Sequence, residues 1–463
     1  MALVRRPLGA LLVVALLGCG SVAATAGARQ SAASCRSLTH RVKAGDTLFA
    51  LARRYKVTVG VLARANGLDP NGVLPIGFVL HVPRASCSTA APLPLTRALQ
   101  IAARSPMTTG ASVLDLSTGE TVYSLGADAL LAPASTEKLP LATAALQLLG
   151  PGFRTETAVL AAGTREGAVW RGDLYLKGFG DPFLADPQLV RLARQVRAAG
   201  IARVTGSVVG DESYFDSRRT APGWKAEFYK QESPPLSALV ADRAVLDGRS
   251  VGRPALAAAV LFRRALVAAG VGVAGPVREG VSPSAALQVG RVASPPLRRI
   301  LTEIDTWSDN FAAETLVKLL GAHELGRGST AAGLLVVRRT LAADGIQLEG
   351  RLADGSGLSR LDRLTAADLA GLVAYVSRTP GLRPLLDTLA VAGVSGTLRH
   401  RLRDVPGHAL VRGKTGSTDE SSALAGVVAD RFAFAIVENG TPVDFAAAHA
   451  AQDRFVQALL GAR

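Results

Sequence analysis

The sequence predicts an α/β protein in which a small strand–helix–helix–strand unit precedes a larger mixed domain interrupted by a glycine-rich insertion. Three observations predict it. Between residues 40 and 83, two short β-type runs bracket two helical stretches. Residues 111–116 and 120–124 alternate as strands about Ser117-Thr118-Gly119; strand patterns return at 410–414, 423–429 and 432–437, with helical periodicity between. From about residue 159 to 290 the texture changes to short strand-like pieces with many glycines.

At 463 residues, 48% hydrophobic and 19% charged, the chain has room for two or three domains and is not disordered in composition. The formal charge of +15 rests on arginine, because only eight lysines occur. With abundant alanine and glycine, most of that richness reads as genome composition. Functionally it would suit an anionic wall polymer or phospholipid, and no arginine–aromatic cluster argues for nucleic acid. The chain opens as an export signal: Arg5 and Arg6 precede an apolar stretch at 8–17, too short for a membrane span. Two exits are open. Leu16-Leu17-Gly18-Cys19 resembles a bacterial lipobox, which would leave Cys19 as a lipidated first residue and the one route to a membrane. Cleavage at Ala24-Thr25-Ala26 or Ala26-Gly27-Ala28 would instead discard residues 1–28 as an ordinary signal peptide. Either exit delivers the protein to the periplasm, the cell wall or the outer face of the membrane. In that oxidising compartment Cys35 and Cys87, which bracket one short segment, are expected to pair.

Within residues 40–83, His40 to Thr47 read as a strand and turn. Residues 48–55 follow as a helix with Leu48, Leu51, Ala52 and Tyr55 on one side. A second helix over 59–66 has Thr58 as its cap and Gly67 as its stop, and residues 79–83 close as a strand. The motifs V-K-A-G-D-T-L, A-N-G-L and I-G-F-V-L-H-V-P in this order resemble a LysM domain, spanning residues 38–84. That resemblance implies binding of N-acetylglucosamine-containing glycan, here peptidoglycan. The implied cleft lies between two loops, Gly45, Asp46 and Thr47 on one side and Leu74, Pro75, Ile76 and Gly77 on the other.

Residues 85–94, with Pro92 and Pro94, read as a linker, and 95–103 as a helix. After the hairpin comes Pro133-Ala134-Ser135-Thr136-Glu137-Lys138-Leu139-Pro140, followed by an apolar run to residue 149. A helix beginning near Ser135 puts Ser135 and Lys138 on one face, and Pro133 and Ser135 suit such a start. Lys138 can then take the serine proton while the free N–H groups of the helix start face a reacting carbonyl. For that the lysine must be neutral, which burial and nearby positive charge would favour. A lone S-x-x-K is more often a helix cap. Within the insertion, placed at about 160–290, residues 187–200 read as a helix. Helices at 298–304 and 310–320 flank Ser308-Asp309-Asn310, a break that can present the Ser308 hydroxyl and the Asn310 amide to a cleft. Helices at 331–344 and 365–377 precede the terminal strands, and a last helix spans 445–460. On the first of those strands Lys414 supplies charge, Thr415 a hydroxyl and Gly416 room for a substrate backbone, with Ser417 and Thr418 following.

S-x-x-K, S-D-N and K-T-G in this order are the motif set of the penicillin-recognising serine acyltransferases. With Gly180-Asp181-Pro182, Gly210-Asp211, Asp354-Gly355-Ser356-Gly357-Leu358-Ser359 and Gly396-Thr397-Leu398, the chain from about residue 95 onward resembles the D-Ala-D-Ala carboxypeptidase/endopeptidase family, the class C low-molecular-mass penicillin-binding proteins. The resemblance implies a serine β-lactamase/transpeptidase-like domain, an antiparallel sheet with flanking helices, carrying one inserted domain. It implies Ser135 as nucleophile, Lys138 as base, Ser308 as proton relay beside Lys414, and Asn310 as the group that orients the peptide amide. Lys414 and Thr415 would hold the terminal carboxylate, Thr415 with Ser417 or Thr418 would tell a free carboxylate from an internal peptide beside Gly416, and the N–H groups of Ser135 and Ser417 would hold the oxyanion. The D-G-S-G-L-S segment is expected to be a structural loop near the cleft. No cofactor is implied, and none of the six histidines has metal-ligand company. Expected partners are peptidoglycan stem peptides and β-lactam inhibitors. A β-lactamase-like hydrolase and a catalytically silent wall-binding protein stay open as alternatives, as does the choice between carboxypeptidase and endopeptidase.

Overall fold

The computed structural model describes residues 38–55, 59–64, 66, 68–69, 72, 74–82, 93–99 and 106–462. The expected signal peptide with Cys19, the Cys35–Cys87 pair, Thr58, Gly67, Pro83 and most of the linker fall outside them. Contacts divide the chain into two units, residues 1–87 and 88–463.

In the first unit, strand β1 (Leu38–Arg41) and strand β2 (Val79–Val82) pair antiparallel around helices α1 (Leu48–Tyr55) and α2 (Val59–Arg64). The helical spacing of Leu48, Leu51 and Ala52 turns one face inward, where it meets Leu62, Ala63, Leu80 and Val82. So small a core leaves much of the stability to polar clamps. Asn66 is one such clamp: its amide donates to the carbonyls of Leu62 (2.7 Å) and His81 (2.8 Å) and accepts from the His81 N–H (2.6 Å). Asn66→Ala should destabilise this unit by about 1–3 kcal/mol. Hydrogen exchange on the full chain should show lost protection over residues 38–82 and none over 106–462; unchanged exchange at 79–82 would disprove the clamp.

The second unit begins with helix α3 (Leu93–Leu99), strands β3 (Met107–Asp115) and β4 (Thr121–Leu125), a 3-10 turn (Ala134–Glu137) and helix α4 (Lys138–Leu149). Strands β5 (Glu156–Glu166) and β6 (Val169–Gly178), helix α5 (Asp186–Ala198), strands β7 (Arg203–Val204) and β8 (Val208–Asp211), helix α6 (Phe228–Gln231), strands β9 (Val245–Leu246) and β10 (Arg249–Ser250), helix α7 (Pro254–Ala268) and strands β11 (Gly272–Val273), β12 (Val277–Glu279) and β13 (Leu287–Ala293) follow. Helices α8 (Leu297–Thr306), α9 (Asn310–Leu325), α10 (Thr330–Ala343) and α11 (Ala366–Arg378), strands β14 (Ala390–Val391), β15 (Val411–Thr418), β16 (Ser421–Val428) and β17 (Phe432–Gly440), and helix α12 (Phe445–Gly461) complete it.

Six of these strands form one antiparallel sheet in the order β14-β15-β16-β17-β3-β4. Strand β16 is buried along its whole length because helices cover both faces. On one face α3 and α12 pack with Phe434, Ile436 and Phe455; on the other, α4 and α8–α11 build the largest core. Seven strands between residues 156 and 293 make a second sheet, closed over its own core by α5 and α7. Strand β14 pairs with β15 only at Arg412 and Gly413, so from Lys414 onward that edge of β15 is left for the turn before α4.

Two local readings need correction. Helix α3 starts at Leu93, inside the stretch read as linker; Pro94 is its second residue, where a missing N–H costs nothing. The chain enters α4 through a 3-10 turn rather than directly, with Ala134 at φ +46 immediately before Ser135.

Candidate active site

The turn carrying Ser135 is held from behind. Asn439 on β17 accepts the Ala132 N–H (2.7 Å) and donates to the Ala132 carbonyl (3.0 Å), which also accepts from the Ser421 hydroxyl (2.6 Å). Two glycines let the neighbouring segments close on it. A Cβ at Gly357 would stand 2.0 Å from the Ala134 carbonyl, and one at Gly416 would stand 2.8 Å from the Pro133 carbonyl and 3.1 Å from the Ser135 nitrogen. Strand β15 and the 354–359 loop therefore reach the Ser135 backbone only because neither position has a side chain.

The three motifs meet here. Lys138 Nζ is 2.8 Å from Ser135 Oγ and 2.8 Å from Asn310 Oδ1, and it also donates to the Ser356 carbonyl. Ser135 Oγ lies 3.2 Å from that same carbonyl. Lys414 Nζ donates to Ser308 Oγ (2.9 Å) and to the Thr415 carbonyl (2.8 Å), while Thr415 Oγ1 bonds Thr397 Oγ1 (2.7 Å). Ser308 sits at φ +64 in the break between α8 and α9, a strained conformation for a serine. Farther along β15, Ser417 is exposed and Thr418 lines a small cleft with Lys225, Phe228 and Arg360.

Both lysines are fully buried. Burial pulls the Lys138 amine down to about 8, while Asp354, Glu314, Asp309 and Glu137 push back. Nearby positive charge, expected to help, is not what neutralises Lys138: its neighbours are acids. The repulsion between the two amines falls on Lys414, held well below the usual lysine range by burial and then by Lys138.

Beneath the site Glu137, Asp354 and Asp362 converge, with carboxylate oxygens within 4.8 Å of one another; among the described residues this is the one grouping with metal-ligand spacing. The chemistry fits shared protons better than a cation. Burial, then Asp362 and Asp354, push Glu137 well up; burial, then Asp354, raise Asp362 to about 9 and Glu314 to about 8. Asp354 is wholly used as an acceptor, from the N–H groups of Gly357 (2.7 Å), Ser359 (2.8 Å) and Ser356 (3.1 Å) and from Trp224 Nε1 (2.7 Å).

The segment between β8 and β9 crosses the site as a strap. Arg243 forks the Asp309 carboxylate (Nη1–Oδ1 3.0 Å, with Nη2 on Oδ2), and Asp309 caps α9 through the Ala312 N–H. The Glu232 carbonyl accepts from Asn310 Nδ2 (3.1 Å), and Lys225 pairs with Asp419 just beyond β15.

In the first unit the Gly77 N–H donates to the Val42 carbonyl (2.8 Å) and the Val42 N–H to the Phe78 carbonyl (2.9 Å), which sets the 43–47 turn beside the 74–77 loop. Asp46 accepts from the Lys43 N–H (2.8 Å) and pairs with His40 Nε2 (2.9 Å), and Thr47 Oγ1 caps the Ala50 N–H, so both side chains hold the turn. Gly45, Pro75 and Ile76 are exposed, and Leu74 and Gly77 are half-buried.

The sequence matches the D-Ala-D-Ala carboxypeptidase 3 (S13) family over residues 96–248 and 243–460. The chain belongs to that family. A LysM domain matches residues 40–83. The S13 chain is 32% identical to the D-alanyl-D-alanine carboxypeptidase of Actinomadura sp. (strain R39) over 418 residues, 72% of this chain and 77% of that one. It is 35% identical to carboxypeptidase DacB of Mycolicibacterium smegmatis over 71% of this chain and 75% of that one. Its fold is similar to the crystal structure of penicillin binding protein 4 from Haemophilus influenzae (TM-score 0.72, 23% identity, 80% of this chain and 98% of that one), which has also been solved in complex with a β-lactam (TM-score 0.67).

Sequence reasoning missed several groups in this S13 site. The D-G-S-G-L-S segment is largely the structural loop expected, wound round Asp354, yet its Ser356 carbonyl touches both Ser135 and Lys138. Glu314, Arg243 and Trp224 were not singled out, and Thr397 was named only within Gly396-Thr397-Leu398, without a role. Glu314 alone left a signal, an acid one helical turn after Asn310 in the mostly apolar stretch 311–317.

The buried carboxyls fix the sign of a pH dependence. Glu314 and Asp362 keep protons in the folded chain that the unfolded chain gives up near pH ~4, so their contribution is complete below that pH and is lost as pH rises through 8 to 9; Glu137, pushed well up by burial, acts in the same direction. Lys138, depressed to about 8, contributes above its unfolded value and is flat below 8; Lys414 opposes the acids with one proton against their three. The melting temperature should therefore fall by several degrees from pH 5 to 8. A rise over that range would mean these carboxyls titrate as ordinary ones.

Proposed function

We propose that this S13 protein is an exported serine D-alanyl-D-alanine carboxypeptidase/endopeptidase that acts on peptidoglycan stem peptides through an acyl-enzyme on Ser135, is tethered to glycan by its LysM domain and is inhibited by β-lactams. The observation that carries the reading is the 2.8 Å contact between the buried Lys138 amine and Ser135 Oγ. A neutral amine has two hydrogens and one lone pair. With Ser356 O and Asn310 Oδ1 taking the hydrogens, the lone pair is left for the Ser135 hydroxyl.

Ser135 Oγ attacks the penultimate D-Ala carbonyl and its proton passes to Lys138. The oxyanion meets the N–H groups of Ser135 and Ser417. Ser308, bonded to Lys414, passes the proton that Lys138 has taken on to the departing D-Ala nitrogen, which leaves Lys138 neutral again for the water step. Lys414 and Thr415 receive the terminal carboxylate, whose charge would favour a protonated Lys414. Water then releases the acyl group. A β-lactam would acylate Ser135 in the same way, but its leaving nitrogen stays attached through the opened ring. The relatives named as D-alanyl-D-alanine carboxypeptidase and the β-lactam complex of the Haemophilus protein support this chemistry. The LysM match, the two adjoining loops and the N-terminal signal pattern support glycan tethering and an extracytoplasmic location.

Intact-protein mass after mixing with benzylpenicillin tests the reading. A long-lived penicilloyl adduct should form, and Ser135→Ala should form none while still binding peptidoglycan. Labelling that survives in Ser135→Ala would remove the nucleophile assignment; rapid turnover of the drug would favour a β-lactamase. Because Lys138 must be neutral, the acylation rate should fall by about tenfold per pH unit below pH 8 and level off above it. A rate flat from pH 6 to 9 would exclude Lys138 as the base.

A further inference from the structure

Helix α9 reaches the Lys138 amine by two routes. Asn310, its first residue, accepts one Lys138 hydrogen directly. Glu314, one turn on and fully buried, does so through a loop: its Oε1 accepts the N–H groups of Gly355 (2.9 Å) and Ser356 (2.8 Å), and the carbonyl of Ser356 accepts from Lys138. The second Glu314 oxygen has no hydrogen-bond partner among the described residues. Burying a carboxyl is costly unless its acceptor work is needed.

We propose that Glu314 is a positioning residue for the Lys138 base, fixing the Ser356 carbonyl so that the amine presents its lone pair to Ser135. This rests on the acyl-enzyme reading above. Once both hydrogens of a neutral amine are engaged by fixed acceptors, the lone pair has one direction left. Asn310 is one acceptor and Glu314, working with Asp354, steadies the other, so helix α9 contributes to both. Asp354 holds the other side of the same residue: its carboxylate accepts the Ser356 N–H and hydroxyl, both at 3.1 Å, and the Gly357 N–H at 2.7 Å, whereas Glu314 is the acceptor that ties the loop to the helix carrying Asn310. Burial, then Asp354, raise the Glu314 carboxyl to about 8, and Lys138 and Lys318 are the cations that sense it. Near neutral pH it therefore holds its proton, and glutamine is its close mimic.

The test uses the full chain with Glu314→Leu, Glu314→Asp and Glu314→Gln. Benzylpenicillin acylation is followed by intact mass, with the rate constant, the labelled fraction and the drug concentration at half-maximal rate measured separately. Leu removes the acceptor and Asp shortens its reach. Both should acylate on the order of 10²-fold slower, as a small misplacement of a reacting group does, with half-saturation little changed. Gln keeps the accepting oxygen and should recover most of the rate. Should Leu not fold, Asp against Gln carries the comparison. A rate constant equal to the unaltered protein's in Glu314→Asp would overturn the proposal, as would variants that lose only labelled fraction. A Gln variant no faster than Asp would overturn it too. No adduct on the unaltered chain would overturn the acyl-enzyme reading and this proposal together.

Discussion

Two lysines are buried in this site with only uncharged partners. Lys138 and Lys414 share five polar contacts: two hydroxyls, an amide oxygen and two backbone carbonyls. An ammonium ion stripped of water and hydrogen-bonded only to uncharged groups is disfavoured, so burial draws both amines toward the neutral form, Lys138 down to about 8 against the pull of nearby acids. Everything around the site follows from that constraint. The acceptors must be aimed, because an amine in solution turns freely. The enclosing segments must also close tightly, because a water-filled gap would rehydrate the charge.

Close approach explains why the site draws on segments so far apart in the chain. The Ser135 turn, the 354–359 loop and β15 touch through their backbones, and bare Cα atoms at Gly357 and Gly416 set the distance. The fixed partners lie one layer out. Asn439 and Ser421 anchor the turn, Asp354 gathers the loop, and the short β14 leaves the catalytic half of β15 unpaired on one edge. The acids below follow the same logic from the opposite sign. Glu137, Glu314 and Asp362, crowded away from water, are pushed toward their protonated forms, which weakens the negative field they return to Lys138.

Much of this was legible in the sequence because it was local or periodic. The hairpin about Ser117-Thr118-Gly119, the helices on either side of Ser308, and β15 to β17 follow from alternation and helical spacing. The three motifs announce themselves because serine, lysine and asparagine at those spacings have few joint uses. What escaped was a main-chain atom or a long-range pair. Any residue could supply the carbonyl that Ser356 supplies, so its type carries no signal. Arg243 lies 66 residues from Asp309, and nothing in the intervening pattern couples them. The reason for Lys138's neutrality was also half legible: the buried run after it was plain, whereas the acids that oppose it come from three separate segments.

The strap shows that an insertion in sequence need not be separate in chemistry. Its second sheet has a core of its own, but the stretch leading out of that sheet bonds the S-D-N segment, the 354–359 loop and Asp419 just past the K-T-G strand. At Asn310 the consequence is specific. The amide oxygen must face Lys138 to accept a hydrogen, which turns the amide nitrogen toward the Glu232 carbonyl. The resting site thus fills its own amide donor with a backbone carbonyl of the strap. A substrate whose peptide carbonyl took that place would exchange one hydrogen bond for another, at little net cost in enthalpy. Binding would then depend on how readily the strap yields, and Arg243, forked onto Asp309 and stacked over Phe183 and Phe311, is the contact that resists its leaving.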